Sequence, residues 1–338
     1  MAVTHKKIAQ AAGVSQSTVS KVLSDNPEIS EETAAHVRRI AGELGYFDEK
    51  LEQRRKAGGY LYPHVAILVP EIVSWYYAQV VTQLQKEIER IGGMAQVYLT
   101  DFDETRCRIL LEQLEYQQMA DCVILIDDVY TPERCSLPLI FRTRENPHTD
   151  QYSYITYFWR RGAEKALEHL CQLGHTRIGF IGEINTAMKR DIFRELLAEK
   201  NLPQDDLLIY TSHYRFERIG HDGVRAFHIR GNMPTAIVAA YDEVAFGAIQ
   251  ELRDLGYRVP EDVSVVGCND IPYAVYHNPP LTTVNPKLEE HCAAMIRMLC
   301  RMISDPHAPP EVVTVEPELI VRGSTAPCRG KEETKEIQ

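Results

Sequence analysis

The chain has 338 residues, a formal net charge of −11 and eight cysteines, and it is 44% hydrophobic and 25% charged. This length allows two or three domains with a substantial core, and no apolar run reaches the about 18 residues of a membrane-spanning helix. The polar N-terminal segment lacks the apolar stretch of a signal peptide. The cysteines form neither a C-x-x-C pair nor a zinc pattern. We therefore expect a cytoplasmic protein with reduced thiols, no metal and no cofactor.

Residues 3–23 predict two short helices that are joined by a tight corner. Apolar residues recur at three- and four-residue steps on both sides of the corner, which indicates helices with one buried stripe each. Gly13 supplies the backbone freedom that the corner needs, and Ser15 stands where an N-cap would open the second helix. This pattern is typical of a helix-turn-helix, whose second helix lies in the major groove of DNA. The simpler alternative is a helical hairpin that only packs.

The acidic net charge argues at first against a nucleic-acid partner, but the charge is unevenly distributed. Residues 1–24 carry three lysines and no acidic side chain, and the acidic excess lies after residue 56. Screening confines the field of a surface charge to roughly 10 Å, so a locally basic face can still bind phosphate. Such binding should depend strongly on salt.

The segment after the corner predicts a third helix and then a linker. Ser30 is a good N-cap for this helix and Gly45 ends it, so three helices would form a small domain over residues 1–47. Residues 48–63 are charged, poor in apolar side chains and interrupted by two glycines and a proline. This segment is either a solvated tether or a segment that folds on DNA.

From residue 64 to 327 apolar strands alternate with amphipathic helices, which is the pattern of parallel βαβ units. About ten strands are predicted, with the last one over residues 311–319. Longer breaks near 150–160 and 280–290 divide them into two doubly wound lobes. The short polar tail, residues 328–338, is predicted to be disordered.

Several motifs in the same order resemble the lactose-repressor (LacI/GalR) family. They are VTHKKIAQAAGVSQSTVSKVL with SEETAAHVRRIAGELGY, then HLCQLGHTRIGFIG, then IVAAYDEVAFGAIQELRDLGYRVPEDVSVVGCND, and finally PPLTTV. The resemblance covers about residues 3–325. It implies an α/β protein with a three-helix DNA-binding domain and two periplasmic-binding-protein-like lobes of type I. It also implies a homodimeric transcription regulator, in most members a repressor, that binds a near-palindromic operator and a small effector between its lobes.

The resemblance further implies which residues contact DNA. A glutamine can bond an adenine edge with both its polar atoms, and a lysine can reach guanine acceptors or phosphate. Hydroxyl groups suit phosphate contacts, although Ser15 would be an N-cap whatever the function. The predicted DNA-binding residues are Thr4, Ser15, Gln16, Ser17, Ser20, Lys21 and Ser30 in the helical domain, and Leu51, Arg54 and Arg55 in the linker.

The linker departs from the family, in which a leucine normally enters the minor groove as a wedge. By position the wedge falls at Arg55, a small residue is replaced by Glu52, and Leu51 is the one aliphatic residue in the segment 48–56. Unstacking a base step needs an apolar wedge. We therefore hypothesise that Arg54 and Arg55 read a narrow minor groove electrostatically, in which case Arg55→Ala lowers both the operator affinity and its salt dependence.

Ligands of doubly wound sheets bind beyond the carboxyl ends of the strands, and the residues after each strand are therefore candidates for effector contacts. Compared with the family these positions are more aromatic and less acidic, because tyrosines replace two polar residues and Lys189 replaces an arginine. A sugar is the first expectation and a planar ligand the second. Tyr77 could instead pack in the core beneath its helix, and Asp242 could instead cap a helix or a loop. The predicted effector-binding residues are Trp75, Tyr76, Tyr77, Tyr157, Lys189, Arg190, Tyr241, Asp242 and Asn269.

Two other classes of protein remain as alternatives to a regulator. A solute-binding protein with the same core fold would carry a signal peptide, and this chain has a basic helix-turn-helix in its place. An enzyme on a doubly wound sheet is not indicated, since the motifs G-x-G-x-x-G, G-x-x-x-x-G-K-[ST] and G-x-S-x-G are all absent. The C-terminal tail is too short and polar for a coiled coil. We therefore expect a dimeric, non-enzymatic regulator.

Overall fold

The computed structural model describes residues 3–23, 29–46, 63–126, 130–143, 151–156, 159–305 and 307–329. Three predictions fall outside these ranges: the fold of the linker before residue 63, the effector contact at Tyr157 and the state of the tail from residue 330 onward. Leu51, Arg54 and Arg55 belong to that linker, so the DNA contacts expected of them stay predictions.

Three helices form the N-terminal domain, namely α1 His5–Ala12, α2 Gln16–Leu23 and α3 Glu31–Glu43. Gly13 ends α1 with a φ of 69°, a conformation that glycine adopts without a Cβ clash. The Oγ of Ser15 accepts a hydrogen bond from the Thr18 N–H at 3.0 Å, so this residue caps α2. The apolar stripes meet in a small core in which Ile8 and Val19 have no exposed surface. The helix-turn-helix geometry thus follows the sequence pattern.

The chain divides into two compact units, residues 1–156 with 289–313 and residues 157–288 with 314–338. We call them the first unit and the second unit. The chain passes from one unit to the other three times, after residues 156, 288 and 313, and we call these places crossovers. The predicted breaks near 150–160 and 280–290 coincide with the first two crossovers. The third crossover was not predicted.

The first unit contains strands β1 His64–Val69, β2 Met94–Leu99, β3 Cys122–Ile126, β4 Leu139–Thr143, β5 Ser153–Thr156 and β11 Val312–Thr314, with helices α4 Trp75–Arg90, α5 Glu104–Gln117 and α10 Leu288–Ser304. The strands form one sheet in the order β2-β1-β3-β4-β5-β11, and the pairs from β2 to β5 are parallel. All residues of β3 are buried, as expected of a strand that is covered on both faces.

The second unit contains strands β6 Ile178–Glu183, β7 Ile209–Ser212, β8 Ala236–Ala239, β9 Ser264–Cys268, β10 Thr282–Asn285 and β12 Glu318–Ile320, with helices α6 Trp159–Gln172, α7 Ala187–Glu199, α8 Glu217–Ile229 and α9 Asp242–Asp254. The sheet order is β12-β10-β9-β8-β6-β7. In each sheet the direction of strand addition reverses once, between β1 and β3 and between β6 and β8. Both sheets are therefore doubly wound, as predicted.

The prediction of one strand over residues 311–319 is wrong. This segment forms two strands, and β11 joins the first sheet whereas β12 joins the second. Pro317 lies between them and has no N–H to donate to a ladder. Strand β12 runs antiparallel to β10, so the second sheet is mixed at this edge. The split was not apparent from hydropathy, because both halves have the apolar character of strands.

The described part of the chain extends beyond the predicted start of the tail. The N–H of Cys328 donates to the carbonyl of Leu173 at 2.7 Å. A guanidinium nitrogen of Arg329 lies 3.6 Å from a carboxylate oxygen of Asp262. The chain therefore keeps contact with the second unit at least as far as Arg329.

Helices α8 and α9 approach each other at two glycines. A Cβ at Gly247 would lie 1.9 Å from the carbonyl oxygen of Glu217, and a Cβ at Gly220 would lie 2.1 Å from that of Val244. No side chain fits in either place, because real Cβ atoms do not come within 3.0 Å of such an atom. This close packing fixes the N-terminal ends of both helices, which lie at the carboxyl edge of the second sheet.

The ten helices of the described ranges include none that is long and apolar enough to cross a membrane. In the same ranges, no group of three or more His, Cys, Asp or Glu side chains could hold a metal ion. All eight cysteines lie in these ranges, and none of them forms a disulfide.

Candidate functional site

The exposed side of α2 carries polar side chains and its other side is buried in the N-terminal core. Ser15, Gln16, Ser17, Ser20 and Lys21 are all exposed, whereas Val19 and Val22 are buried. The Oγ of Ser15 also lies 2.8 Å from the Oγ of Ser17, so these two hydroxyls form one polar corner at the start of α2. The helix thus exposes hydrogen-bonding groups on one side while its other side stays packed in the N-terminal core.

Thr4 and Ser30 open the other two helices of this domain. The Thr4 hydroxyl accepts from the Lys7 N–H at 3.4 Å, and the Ser30 hydroxyl accepts from the Thr33 N–H at 3.3 Å. Both residues are exposed, and helix N-termini attract anions through their free N–H groups and their dipole. Lys6 and Lys7, which the sequence analysis did not assign, are exposed beside Thr4. Two adjacent lysines next to a helix N-terminus are the sequence feature that could have identified them.

A second candidate site lies at the carboxyl edge of the second sheet, near the point between β6 and β8 where strand addition reverses. Lys189 on α7 is 8% exposed. Its Nζ donates to the carbonyl of Ala240 at 2.7 Å and lies 5.6 Å from the centre of the Trp159 ring. Arg190, the neighbouring candidate, instead pairs with Asp191 at 2.8 Å, and this hydrogen bond lowers the pKa of Asp191. The buried cation of the site is therefore Lys189.

Tyr241 and Phe216 form an aromatic corner next to this lysine. Tyr241 follows β8, and its Oη accepts from the Phe216 N–H at 3.0 Å. The two rings meet edge to face with their centres 6.3 Å apart. Burial raises the pKa of Tyr241, so the phenol stays protonated and its hydroxyl can donate a hydrogen bond. Phe216 has a φ of 59°, a strained backbone conformation of the kind that clusters at binding sites.

An ion pair that was not predicted from the sequence lies beside the aromatic corner. The Nε of Arg215 donates to the Oε2 of Glu183 at 2.8 Å, and the Glu183 side chain is 6% exposed. The Arg215 guanidinium carbon lies 4.6 Å from the centre of the Phe216 ring. Glu183 ends β6 and Arg215 follows β7, so the rule for carboxyl ends of strands already pointed to both residues.

Asp242 lies at the start of α9 and has no exposed surface. Its Oδ2 accepts from the Ile271 N–H at 2.8 Å, and its Oδ1 accepts from the Thr283 hydroxyl at 2.5 Å. These contacts fit the alternative role as a cap, because they hold the loop after β9. Burial, as the largest cause, raises the pKa of Asp242 to about 8.

Asp242→Asn should reduce the loss of stability that the wild type shows as pH rises from 5 to 8. The unfolded carboxyl has a pKa of about 3.9, so in this window the folded protein holds a proton that the unfolded chain releases. Stability therefore falls with pH by up to about 1.4 kcal/mol per unit. The amide of asparagine does not titrate. Thermal melts at each pH measure the slope.

Asp262→Asn is the matched control for this experiment. The hydrogen bond from Arg258 lowers the pKa of Asp262, so its contribution changes below pH 4 and not between 5 and 8. A slope in Asp242→Asn equal to that of the wild type would show that Asp242 is ionised in the folded protein.

Asn269 and Asp270, directly after β9, have φ angles of 103° and 49°. The Asn269 N–H donates to the Val284 carbonyl at 2.8 Å. The Asp270 carboxylate accepts from Arg322 at 2.7 Å and from Asn285 at 2.8 Å. Two successive residues with positive φ cost about 1–3 kcal/mol each and persist only where their surroundings hold them. The loop therefore has a fixed and strained shape.

The first unit carries the other predicted effector contacts at the start of α4. Trp75 is 44% exposed, and the rings of Tyr76 and Tyr77 lie 5.2 Å apart. Tyr77 also packs edge-on against Phe102 at 6.1 Å, which fits its alternative role in packing. Arg142 at the carboxyl end of β4 was missed by the sequence analysis. It is 5% exposed, and its guanidinium lies 5.3 Å from the Tyr76 ring.

Two protein-family models match the chain. One, for bacterial regulatory proteins of the lacI family, matches residues 4–48. The other, for a periplasmic binding protein-like domain, matches residues 167–325. These ranges contain α2 with its exposed polar side chains and most of the second unit with its carboxyl-edge site.

Similar proteins cover nearly the whole chain. The HTH-type transcriptional regulator DegA of Bacillus subtilis (strain 168) is 27% identical over 342 residues, which cover 97% of this chain and 99% of that protein. The HTH-type transcriptional regulator reg1 of Streptomyces lividans is 29% identical over 343 residues, with coverages of 96% and 97%. Among solved structures, the transcriptional regulator CelR in complex with cellobiose is 26% identical with a TM-score of 0.68, and the match covers 95% of this chain and 99% of that one.

Proposed function

This chain belongs to the lacI family of bacterial regulatory proteins, and from that premise we propose how it recognises DNA, an effector and a second copy of itself. It is a ligand-responsive, DNA-binding transcriptional regulator, and we propose that it acts as a repressor. The observation that carries the DNA-binding role is the exposed polar side of α2 on a packed helix-turn-helix.

We propose that Gln16 reads a base and that Lys21 binds mainly phosphate. Gln16→Ala should cost about 1–3 kcal/mol per half-site and relax the base preference at one position, because a bidentate contact is lost. Lys21→Ala should weaken binding to all sequences alike and reduce the salt slope by about 1. Fluorescence anisotropy with the operator and a scrambled duplex, over a series of salt concentrations, measures both effects.

Gln85→Ala is the control for these variants, because Gln85 is an exposed glutamine on α4 of the first unit. It should leave operator affinity unchanged. If Gln16→Ala keeps the base preference of the wild type, α2 does not read the operator through this residue. Arg54 and Arg55 remain proposed minor-groove contacts, with Leu51 as their apolar neighbour.

The proposed effector is a neutral saccharide that binds at the carboxyl edge of the second sheet. Lys189 and Tyr241 would supply hydrogen bonds to hydroxyl groups, and Trp159 and Phe216 would supply aromatic faces, which sugars and planar rings both favour. The bound cellobiose of CelR supports a saccharide. We assign Asp242 to positioning the loop after β9, and we retain Trp75 and Tyr76 as proposed effector contacts.

A thermal-shift screen tests the effector class, since a ligand that binds the folded state raises its melting temperature. Glucose, ribose and cellobiose represent saccharides, and hypoxanthine represents planar ligands. We expect a saccharide to raise the melting temperature of the wild type and to have no effect on Lys189→Met. A response to hypoxanthine alone would instead favour the planar class.

The proposed partner is a second copy of the chain, which would contact two apolar surfaces. One is the loop after β9, where Tyr273 and Val275 are each 50% exposed and Tyr276 is 83% exposed. The other is β2, an edge strand on which Met94 is 62% exposed. Exposed apolar edges invite pairing with another chain. Both surfaces would be buried in a symmetric dimer, which a near-palindromic operator requires.

A further inference from the structure

The carboxylate of Asp270 joins three segments that lie apart in the sequence. Its Oδ1 accepts from the Nη2 of Arg322 at 2.7 Å, and its Oδ2 accepts from the Nδ2 of Asn285 at 2.8 Å. The Arg322 and Asp270 side chains are 17% and 13% exposed. This ion pair is therefore largely shielded from water. Charge-assisted hydrogen bonds are stronger in such a shielded place than at an open surface.

One of these segments adjoins a crossover, and a second is separated from another crossover by a single strand. Asn285 ends β10 shortly before the crossover after residue 288, and its Oδ1 accepts from the Lys287 N–H at 2.6 Å. Lys287 has a φ of 54°, so this hydrogen bond holds an unusual backbone conformation next to the crossover. Arg322 follows β12, which is the first strand after the crossover at residue 313.

The third segment is the strained loop after β9. Asn269, one of the predicted effector contacts, directly precedes Asp270, and both residues have positive φ. The Asp270 N–H lies 3.4 Å from the Thr283 hydroxyl, which itself donates to the Oδ1 of Asp242. The position of Asn269 thus depends on the contacts that hold Asp270 through its side chain and through its backbone N–H.

We infer that Asp270, Arg322 and Asn285 form a coupling node, which transmits the position of Asn269 to two of the three crossovers. The inference rests on the proposed function and on the sequence-based prediction that Asn269 contacts the effector. An effector that moves Asn269 then changes the hydrogen bonds of Lys287 and Arg322. By the reciprocity of coupling free energies, a change at either crossover alters effector affinity by the same factor. Asp270 and Arg322 are positioning residues and do not themselves contact the ligand.

Hydrogen exchange of the full-length, ligand-free protein tests the node without knowledge of the effector. Arg322→Gln should raise amide exchange about tenfold in residues 268–271 and 284–289. The variant has no ion pair to break, so local opening of these segments costs less free energy. Arg322 reaches these residues through Asp270, whereas it donates directly to the Leu281 carbonyl. Exchange in β6 and in α8 should not change. Arg322→Lys should restore part of the protection, since it keeps the charge.

Arg258→Gln is the matched control, because Arg258 forms a two-bond pair with Asp262 in the same unit. Its effect should be confined to residues around 258–263. If Arg322→Gln raises exchange only near residues 281 and 322, or raises it uniformly over the second unit, the node does not exist and Arg322 has a local structural role.

A second measurement separates coupling from structure. With the saccharide selected by the thermal-shift screen, the ratio of operator affinities without and with ligand should fall about tenfold in Asp270→Asn, relative to the wild type. Operator affinity without ligand should change by less than about threefold, because α2 belongs to the N-terminal domain and the node belongs to the second unit. If the ratio of operator affinities in Asp270→Asn equals that of the wild type, the inference is overturned. If the wild type shows no operator binding or no response to a saccharide, the proposed function is overturned. The pattern of hydrogen exchange still shows whether the node exists.

Discussion

Tyr276→Asp is expected to convert the protein from a dimer to a monomer and to lower operator affinity by at least about 100-fold. Tyr276 is the most exposed of the apolar residues in the loop after β9. In a symmetric interface the same patch occurs on both copies, so the substitution introduces two buried charges at once. Each monomer would then bind one half-site without the benefit of a linked second contact. Sedimentation velocity and anisotropy measure the two effects.

A stacked ring pair connects this loop to α9, because His277 directly follows Tyr276 and Phe246 lies on α9. Phe246 and His277 lie with their ring centres 4.6 Å apart and their planes at 8°. Tyr214→Asp is a suitable control, because Tyr214 is 47% exposed in the same unit and lies outside the loop. It should remain a dimer. If Tyr276→Asp also sediments as a dimer, the interface lies elsewhere, and a tetrameric wild type would contradict the predicted dimer.

Gly247→Ala is expected to destabilise the protein by about 3 kcal/mol or more. The new Cβ would lie 1.9 Å from the Glu217 carbonyl oxygen, so α8 and α9 must move apart. Alanine gains about 1 kcal/mol of helix propensity over glycine, which does not offset a collision with backbone. The melting temperature should fall by roughly 6–12 °C, and the separation should also displace Phe216 and Asp242 at the N-terminal ends of the two helices.

Gln250→Ala serves as the control for this variant. Gln250 lies on the same helix, is exposed, and bonds only to Asp254 on its own helix among the contacts of the described residues. Its replacement should change stability by less than about 0.5 kcal/mol. A Gly247→Ala protein as stable as the wild type would show that α8 and α9 can separate at little cost.

The sequence predicted those parts of the fold that depend on neighbours along the chain. Gly13 and Ser15 are examples, because a left-handed corner and an N-cap are decided within a few residues. The buried strands were also predictable, since continuous apolar runs such as β3 need cover on both faces. The doubly wound arrangement then followed from the alternation of strands and helices.

What the sequence did not reveal depends on residues that are far apart in the chain. The separation of β11 from β12 follows from pairing with different sheets, and hydropathy does not encode the choice of sheet. Glu183 and Arg215 each follow the rule for carboxyl ends of strands, but their pairing joins residues far apart in the chain, as does the convergence of Arg322 on Asp270. Asp242 was named as an effector contact with a cap as the alternative, and its contacts with Ile271 and Thr283 fit the cap.

Selection of genomic DNA fragments by the full-length protein at physiological salt is the most direct test of the central claim, that a dimer reads an operator through α2. We predict enrichment of a near-palindromic sequence, with two protected half-sites related by the symmetry of the dimer. Binding should weaken as salt rises, and Gln16→Ala should alter the enriched bases. Failure to enrich any sequence, or enrichment of the same sequence by wild type and Gln16→Ala alike, would contradict the claim.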